Sequence, residues 1–391
     1  MGIFSKKQKQ DTLVLVFDIG SSSVGGVLFW TQKSGVPRII MSLREPIALE
    51  ENIDANRFLL LTTQSLNVVA SKIYKAGMGA PAKIFCVLSS PWHFSQTRII
   101  SFEKNTPFVF TPTLANDLIK KEVALFEEEN LAKYSNLENS VRSIELKSIK
   151  TMLNGYETEK PLDQKANKLE MTVFVSVGEE SVLQKIEETI RKHFNFLNIK
   201  FCSFLLSSFA VVRDIHSHDD NFLLIDIGGE VTDIAMAKKN ALRESVSFPL
   251  GFNFIIREIA SSLRLSLGEA RSLISLVKDE HASDSYKKKL EIEIDKLKTK
   301  WLNKFQESLA NISNDVSIPA TIFVSVEKDF ADFFCQVIRN EQFNQYTFTE
   351  SKFTVVLLGP EFFRDMATFH NDSIRDPNLT INSIYINRSF N

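Results

Sequence analysis

The chain has 391 residues, 44% of them hydrophobic and 24% charged, and its formal net charge is −2 at pH 7. A chain of this size and composition buries a sizeable core and divides into two domains or more. The near-neutral charge, with no basic stripe carrying interleaved aromatics, excludes nucleic acid as an electrostatically driven partner. No apolar run reaches the roughly 18 residues of a membrane-spanning helix. Cys86, Cys202 and Cys335 each follow a Phe in an apolar stretch and read as reduced core residues of a cytosolic protein.

The opening MGIFSKKQKQ is too short and polar for a signal peptide. Ile3 and Phe4 beside Lys6, Lys7 and Lys9 could touch an anionic membrane weakly, but a solvated tail is the favoured reading. Strands are expected from Leu13 to Ile40, a helix over Asn56–Ala76 and a strand over Lys83–Leu88. Residues 97–197 have a different character. Thr113–Glu129 reads as a charged helix, Val141–Tyr156 and Leu169–Val177 as strands, and Glu179–Phe194 as a helix. Cys202–Asp214 is expected to be helical. A second hairpin follows, then a strand over Arg243–Pro249, a turn at Gly251 and helices over Ile255–Leu263 and Gly268–Lys278. Ser285–Ser313 reads as one long helix. Its stripe Leu290, Ile294, Leu297, Trp301, Phe305, Leu309 is too irregular for sustained heptads, so packing against its own domain is expected. Ile318–Val326 and Phe353–Leu358 read as strands, and the end, INSIYINRSFN, alternates like a strand.

One pattern occurs twice. LVLVFDIGSSSVGGVLF begins at Leu13 and NFLLIDIGGEVTDIAMA at Asn221; Asp18 corresponds to Asp226 and Gly20 to Gly228, each 208 positions apart. Each copy is an apolar strand, a Gly-containing tight turn and a second apolar strand. Successive N–H groups in such a turn can bind an anion, and Ser21, Ser22 and Ser23 add hydroxyls. A carboxylate at each strand end suits Mg²⁺, directly or through water. Two such hairpins, facing each other, could clamp the phosphates of one nucleotide.

DIGSSSV from Asp18, DIGGEVTDIA from Asp226, FPLGFNFIIREIASSL from Phe248 and KTMLNGYETEKP from Lys150 together resemble the FtsA/PilM group of the actin-like ATPase superfamily. The resemblance implies an α/β fold of the actin/ribonuclease H-like kind, duplicated in two domains, with a small α+β domain inserted. The parts would be 1–96 with the first phosphate loop, the insertion at 97–197, a crossover helix and second phosphate hairpin at 198–244, a helical subdomain at 245–345 and a return at 346–391. It also implies ATP and Mg²⁺ as cofactors. Asp18, Gly20, Ser21, Ser22 and Ser23 would form one phosphate loop and Asp226, Gly228, Gly229, Thr232 and Asp233 the other. Gly251 would start the helix near the nucleotide, Gly359 would lie beneath the adenosine, and Asp18 and Asp226 would serve the metal.

The sequence departs from the group's pattern at three places. Glu230 stands where a third Gly is usual, and its charge would repel phosphate unless it points away. Arg271 and Ile274 replace the Glu and Lys that usually meet the ribose and adenine. Gly359 is followed by Pro360, which has no N–H to offer. No Glu or Gln stands out to position an attacking water, so no catalytic residue is assigned and any ATPase activity is expected to be slow.

The function so implied is a cytoplasmic adaptor that self-associates and links cell-division filaments to the inner face of the membrane. Its partner would be an FtsZ-like protein. A PilM-like partner of a type IV pilus platform protein is the alternative, and a sugar kinase ranks lower because no substrate base is evident. The strand-like end weakens membrane contact through a C-terminal amphipathic helix and leaves it to partners, whereas KTMLNGYETEKP favours the FtsA-like reading.

Overall fold

The structure, a computed structural model, describes residues 11–52, 54–133, 140–195, 198–278, 284–312, 317–340, 352–370 and 373–389. The N-terminal segment read as a tail lies outside them. β1 (Leu13–Ile19) and β2 (Ser23–Trp30) form the first hairpin, and β3 (Arg38–Pro46) pairs antiparallel with β2. β1 is buried along its whole length, so it lacks the alternation of a half-exposed strand. α1 (Ala55–Lys75) is capped by the Asp54 carboxylate, which accepts from the Arg57 N–H. It returns the chain to β4 (Lys83–Leu88), parallel to β1.

The chain then leaves this sheet. β5 (Phe94–Val109), α2 (Pro112–Lys133), β6 (Val141–Leu153), β7 (Tyr156–Glu157) and β8 (Lys165–Glu179) build a four-stranded antiparallel sheet in the order β5-β8-β6-β7. The turn between β6 and β7 is Asn154-Gly155, both with positive φ (52° and 85°), the two-residue hairpin turn that this dipeptide favours. α3 (Glu180–Arg191), which the sequence grouped with the insertion, instead gives Leu183, Ile186 and Ile190 to the core beneath α1. β9 (Ile199–Ser203) rejoins the first sheet, parallel to β4.

The second half repeats the first. After α4 (Phe204–Ile215), β10 (Phe222–Ile227), β11 (Thr232–Lys238) and β12 (Ala241–Phe248) form an antiparallel meander. α5 (Asn253–Leu263), α6 (Leu267–Lys278) and α7 (Asp284–Ile312) follow, then β13 (Thr321–Val326), α8 (Lys328–Asn340) and β14 (Thr354–Leu357). β15 (Thr368–Phe369) pairs with β3, and α9 (Pro377–Arg388) completes the order. The two large sheets run β15-β3-β2-β1-β4-β9 and β12-β11-β10-β13-β14. Without the short β15, they have the same strand order, so the duplication read from the two hairpins extends to both sheets.

The stripe on α7 is core. Leu297, Trp301, Phe305 and Leu309 are buried, and Trp301 stacks on Phe305 at 5.0 Å and meets Phe334 edge-on at 5.1 Å. The three cysteines are buried and free. The chain end corrects the expectation of a strand. Asp376 caps α9 by accepting from the Leu379 N–H at 2.9 Å, and Pro377 occupies the first helical position. α9 lies against α4, β1 and β2. Leu379, Thr380, Ile381, Asn382, Ser383, Ile384, Ile386 and Asn387 are all buried, so no polar face marks a helical period.

Candidate functional site

The two hairpin turns meet. The Trp92 indole N–H donates to the Gly20 carbonyl at 2.8 Å and fixes the first turn, while the Gly228 N–H donates to Val231 O at 2.9 Å in the second. The Glu230 N–H donates to Ser21 Oγ at 3.1 Å, joining the turns directly. Gly20 and Gly228 do not occupy the left-handed region. At Gly228 the requirement is space, because a Cβ there would lie 2.7 Å from Ser21 Oγ. Gly251 is tighter still: a Cβ would lie 2.2 Å from the Gly228 carbonyl oxygen and 2.3 Å from that of Gly229. That contact lets the Phe252 and Asn253 N–H groups donate to those two carbonyls at 2.9 and 2.8 Å, docking the start of α5 on the second turn.

Beside the turns lies a cavity of about 530 Å³, large enough for a nucleotide-sized ligand. Of the residues singled out from sequence, Asp18, Gly20, Ser21, Ser22, Ser23, Asp226, Gly228 and Gly359 line it, with Arg271 and Pro360. Gly229, Thr232, Asp233 and Gly251 do not. Buried Thr232 donates to Leu250 O at 2.7 Å and accepts from the Trp301 indole N–H. Asp233 lies in a second cavity, of about 410 Å³, where Ser90 Oγ donates to it at 2.8 Å and Ser247 Oγ also donates. Ile274 packs on the second-half core.

Glu230 is not aimed at the cavity. Both of its oxygens accept from Arg257, at 2.7 and 2.8 Å, and Asn253 Nδ2 donates to it at 2.8 Å. The expected repulsion is thus neutralised and the carboxylate braces α5. Arg271 pairs with Glu327 on the cavity wall.

Arg44, which nothing in the sequence marked, organises the first turn. From β3 its Nη2 reaches Asp18 Oδ2 at 2.7 Å, its Nε reaches Asp376 Oδ2 at 2.6 Å, and its Nη1 reaches Ser23 Oγ at 3.0 Å. Asn382 of α9 donates to Asp18 Oδ1 at 3.1 Å. Burial pushes Asp18 above the usual carboxylate range, against the opposing pull of Arg44. Burial also pushes Asp376 up, but Arg44 outweighs it and holds that carboxyl below its usual range. Asp226 has no such partner. Burial, then the nearby Asp233, push it up to about 8, with a Ser325 hydrogen bond opposing. The sequence signal that was missed is Asp376-Pro377, a helix cap followed by an N1 proline.

A divalent ion in this fold would draw on Asp18 and Asp226. Mg²⁺ takes one or two carboxylates, waters and phosphate oxygens. Both Asp18 oxygens are already engaged, by Arg44 and Asn382. Among the described residues, no cluster of three or more His, Cys, Asp and Glu could hold a metal. The donor set assigned to the metal from sequence does not fit a divalent ion in this arrangement.

A profile of the cell division protein FtsA matches residues 223–332, from β10 into α8. The FtsA of Neisseria meningitidis serogroup B (strain ATCC BAA-335 / MC58) is 27% identical over 113 residues, 28% of this chain. The matched stretch spans about a quarter (26%) of that relative's length. The fold of the PilM–PilN type IV pilus biogenesis complex superposes over 96% of this chain and 98% of that one, at TM-score 0.59 and 13% identity. A more distant match is the ethanolamine utilization protein EutJ of Carboxydothermus hydrogenoformans, at TM-score 0.42 and 10% identity, covering 98% and 91%. With the duplicated sheets and facing hairpins, the chain is similar to FtsA over residues 223–332 and shares the fold of the PilM–PilN complex along nearly its whole length.

Proposed function

We propose that the protein is a cytoplasmic, nucleotide-binding assembly adaptor of the FtsA kind. ATP in the cavity bridges the two halves and biases them towards a self-associating state. The observation that carries this is the convergence of two equivalent strand–turn–strand units on one cavity, the second of them inside the FtsA-matching segment. The four-stranded sheet unit is the partner-binding part. α9 supports a link between the two: its N-terminal residues line the cavity, and Tyr385 OH donates to Glu145 of β6 at 2.6 Å. Glu145 also accepts the Ser203 N–H at 2.8 Å, so one helix touches both the phosphate turn and the root of the inserted sheet.

Turnover is slow in this reading. Of the four acidic side chains lining the cavity, Asp18, Asp376 and Glu327 are held by arginines and Asp226 keeps its proton. None is arranged to activate a water. No helix among the described residues is long and apolar enough to cross a membrane, and buried α9 presents no apolar face to one. Contact with the inner face of the membrane runs through partners in this reading, an FtsZ-like division protein first among them. The extent of the PilM fold match, nearly end to end in both chains, favours a second reading as a partner of a pilus platform protein. Calorimetry with ATP tests nucleotide binding. Co-sedimentation with an FtsZ-like filament, set against binding of the cytoplasmic tail of a pilus platform protein, separates the two roles. Failure to bind either partner overturns the adaptor reading.

A further inference from the structure

The phosphate turn already contains a cation. Arg44 lines the cavity between Asp18 and Asp376, two-pronged on Asp376 through Nε at 2.6 Å and Nη2 at 3.0 Å, and single on Asp18 at 2.7 Å. Carried by β3, it is held from three other elements: Asp18 of β1, Ser23 of β2 and the Asp376 cap of α9. Resting on the nucleotide reading, we infer that the cleft binds the polyphosphate of its nucleotide without a divalent cation, the guanidinium of Arg44 standing in place of the ion.

Two observations carry this. First, a metal ion bound directly to Asp18 would compete with Arg44 and Asn382 for its two oxygens. Displacing Arg44 would leave the largely buried Asp376 carboxylate without its cation, an unfavourable change. Mg²⁺ itself sheds water reluctantly and gains little from a carboxylate already satisfied. Second, the cavity wall presents cationic side chains of the protein, set among the acidic Asp18, Asp226, Glu327 and Asp376. Arg271, Lys328 and Arg375 line it with Arg44, and arginine forks match phosphate oxygens. Among the described residues, four of the five Arg44 N–H groups have partners. The remaining Nη1 hydrogen, beside Ser23, is available to a phosphate oxygen.

The test is calorimetric titration of the full chain with ATP, once in EDTA and once in Mg²⁺. The expected Kd differs by less than about threefold between the two buffers, under 1 kcal/mol. Arg44→Ala is expected to lose about tenfold or more in EDTA and to recover part of it when Mg²⁺ is added, because Asp18 is then free. Wild-type binding that appears only with Mg²⁺ overturns the inference and leaves the nucleotide reading standing. Arg44→Ala binding in EDTA as tightly as wild type overturns it too. No binding in either buffer overturns both. If Arg44→Ala fails to fold, the two wild-type titrations still decide.

Discussion

The hairpins at Asp18 and Asp226 share strand order, pairing and a carboxylate at the turn, buried at Asp18 and half-buried at Asp226, yet the two carboxylates have different surroundings. Asp18 is tied to Arg44 and, through it, to the cap of α9. Asp226 faces Asp233 across the β10–β11 pair, with no arginine in contact, and keeps its proton into the neutral range. A repeated backbone thus carries two unlike electrostatic sites. The first turn is locked by an ion network spanning the length of the chain. The second is locked by backbone contact at Gly251 and by the Glu230–Arg257 pair.

Breaking the first lock is expected to cost most. Arg44→Ala leaves Asp18 and Asp376 without their cation and should destabilise the fold by about 4 kcal/mol, read as a shift in urea midpoint. A loss below about 1 kcal/mol would mean the network is solvated and weak. The matching blow to the second lock is Gly251→Ala. Its Cβ meets two carbonyl oxygens at 2.2 and 2.3 Å, and the backbone must shift, for a loss of about 3 kcal/mol together with weakened ATP affinity. Unchanged stability would show that α5 does not hold the second turn.

The titration of Asp226 sharpens the contrast. Its folded pKa, about 8, lies above the unfolded value of 3.8. The folded state therefore binds the extra proton, and the stability this contributes is lost as pH rises through about 8. Asp226→Asn cannot ionise and should be the more stable protein at pH 8, by about 2 kcal/mol, with a flatter profile from pH 5 to 8. An unchanged profile would remove Asp226 as the titrating group. The smallest effect is expected from Glu230→Ala, about 1 kcal/mol, since that pair is partly exposed. Equal losses in Glu230→Ala and Arg44→Ala would erase the distinction between the two locks.

Much of the fold was legible because its signals are local. The β1–β2 and β10–β11 hairpins, the Asn154-Gly155 turn and the α7 stripe each declare themselves within a few residues. Much of the cavity wall was legible as well, because Asp18 to Ser23 and Asp226 to Gly228 sit within the repeated motif. Thr232 and Asp233 show the limit: they belong to the same motif, but their side chains turn to the core and to the second cavity.

The amino-acid sequence by itself determined the duplication, the two turns and the FtsA/PilM likeness, since strand hydrophobicity and turn chemistry act between near neighbours. The tertiary structure decided what the turns are made of electrostatically. Arg44 and Asp376 stand 332 positions apart, and neither residue carries a local mark of the other. α9 reads as a strand because burial on every side removes the polar face that would reveal a helix. Charge compensation and burial depend on which elements pack together, and only the packed fold joined Arg44 to Asp18.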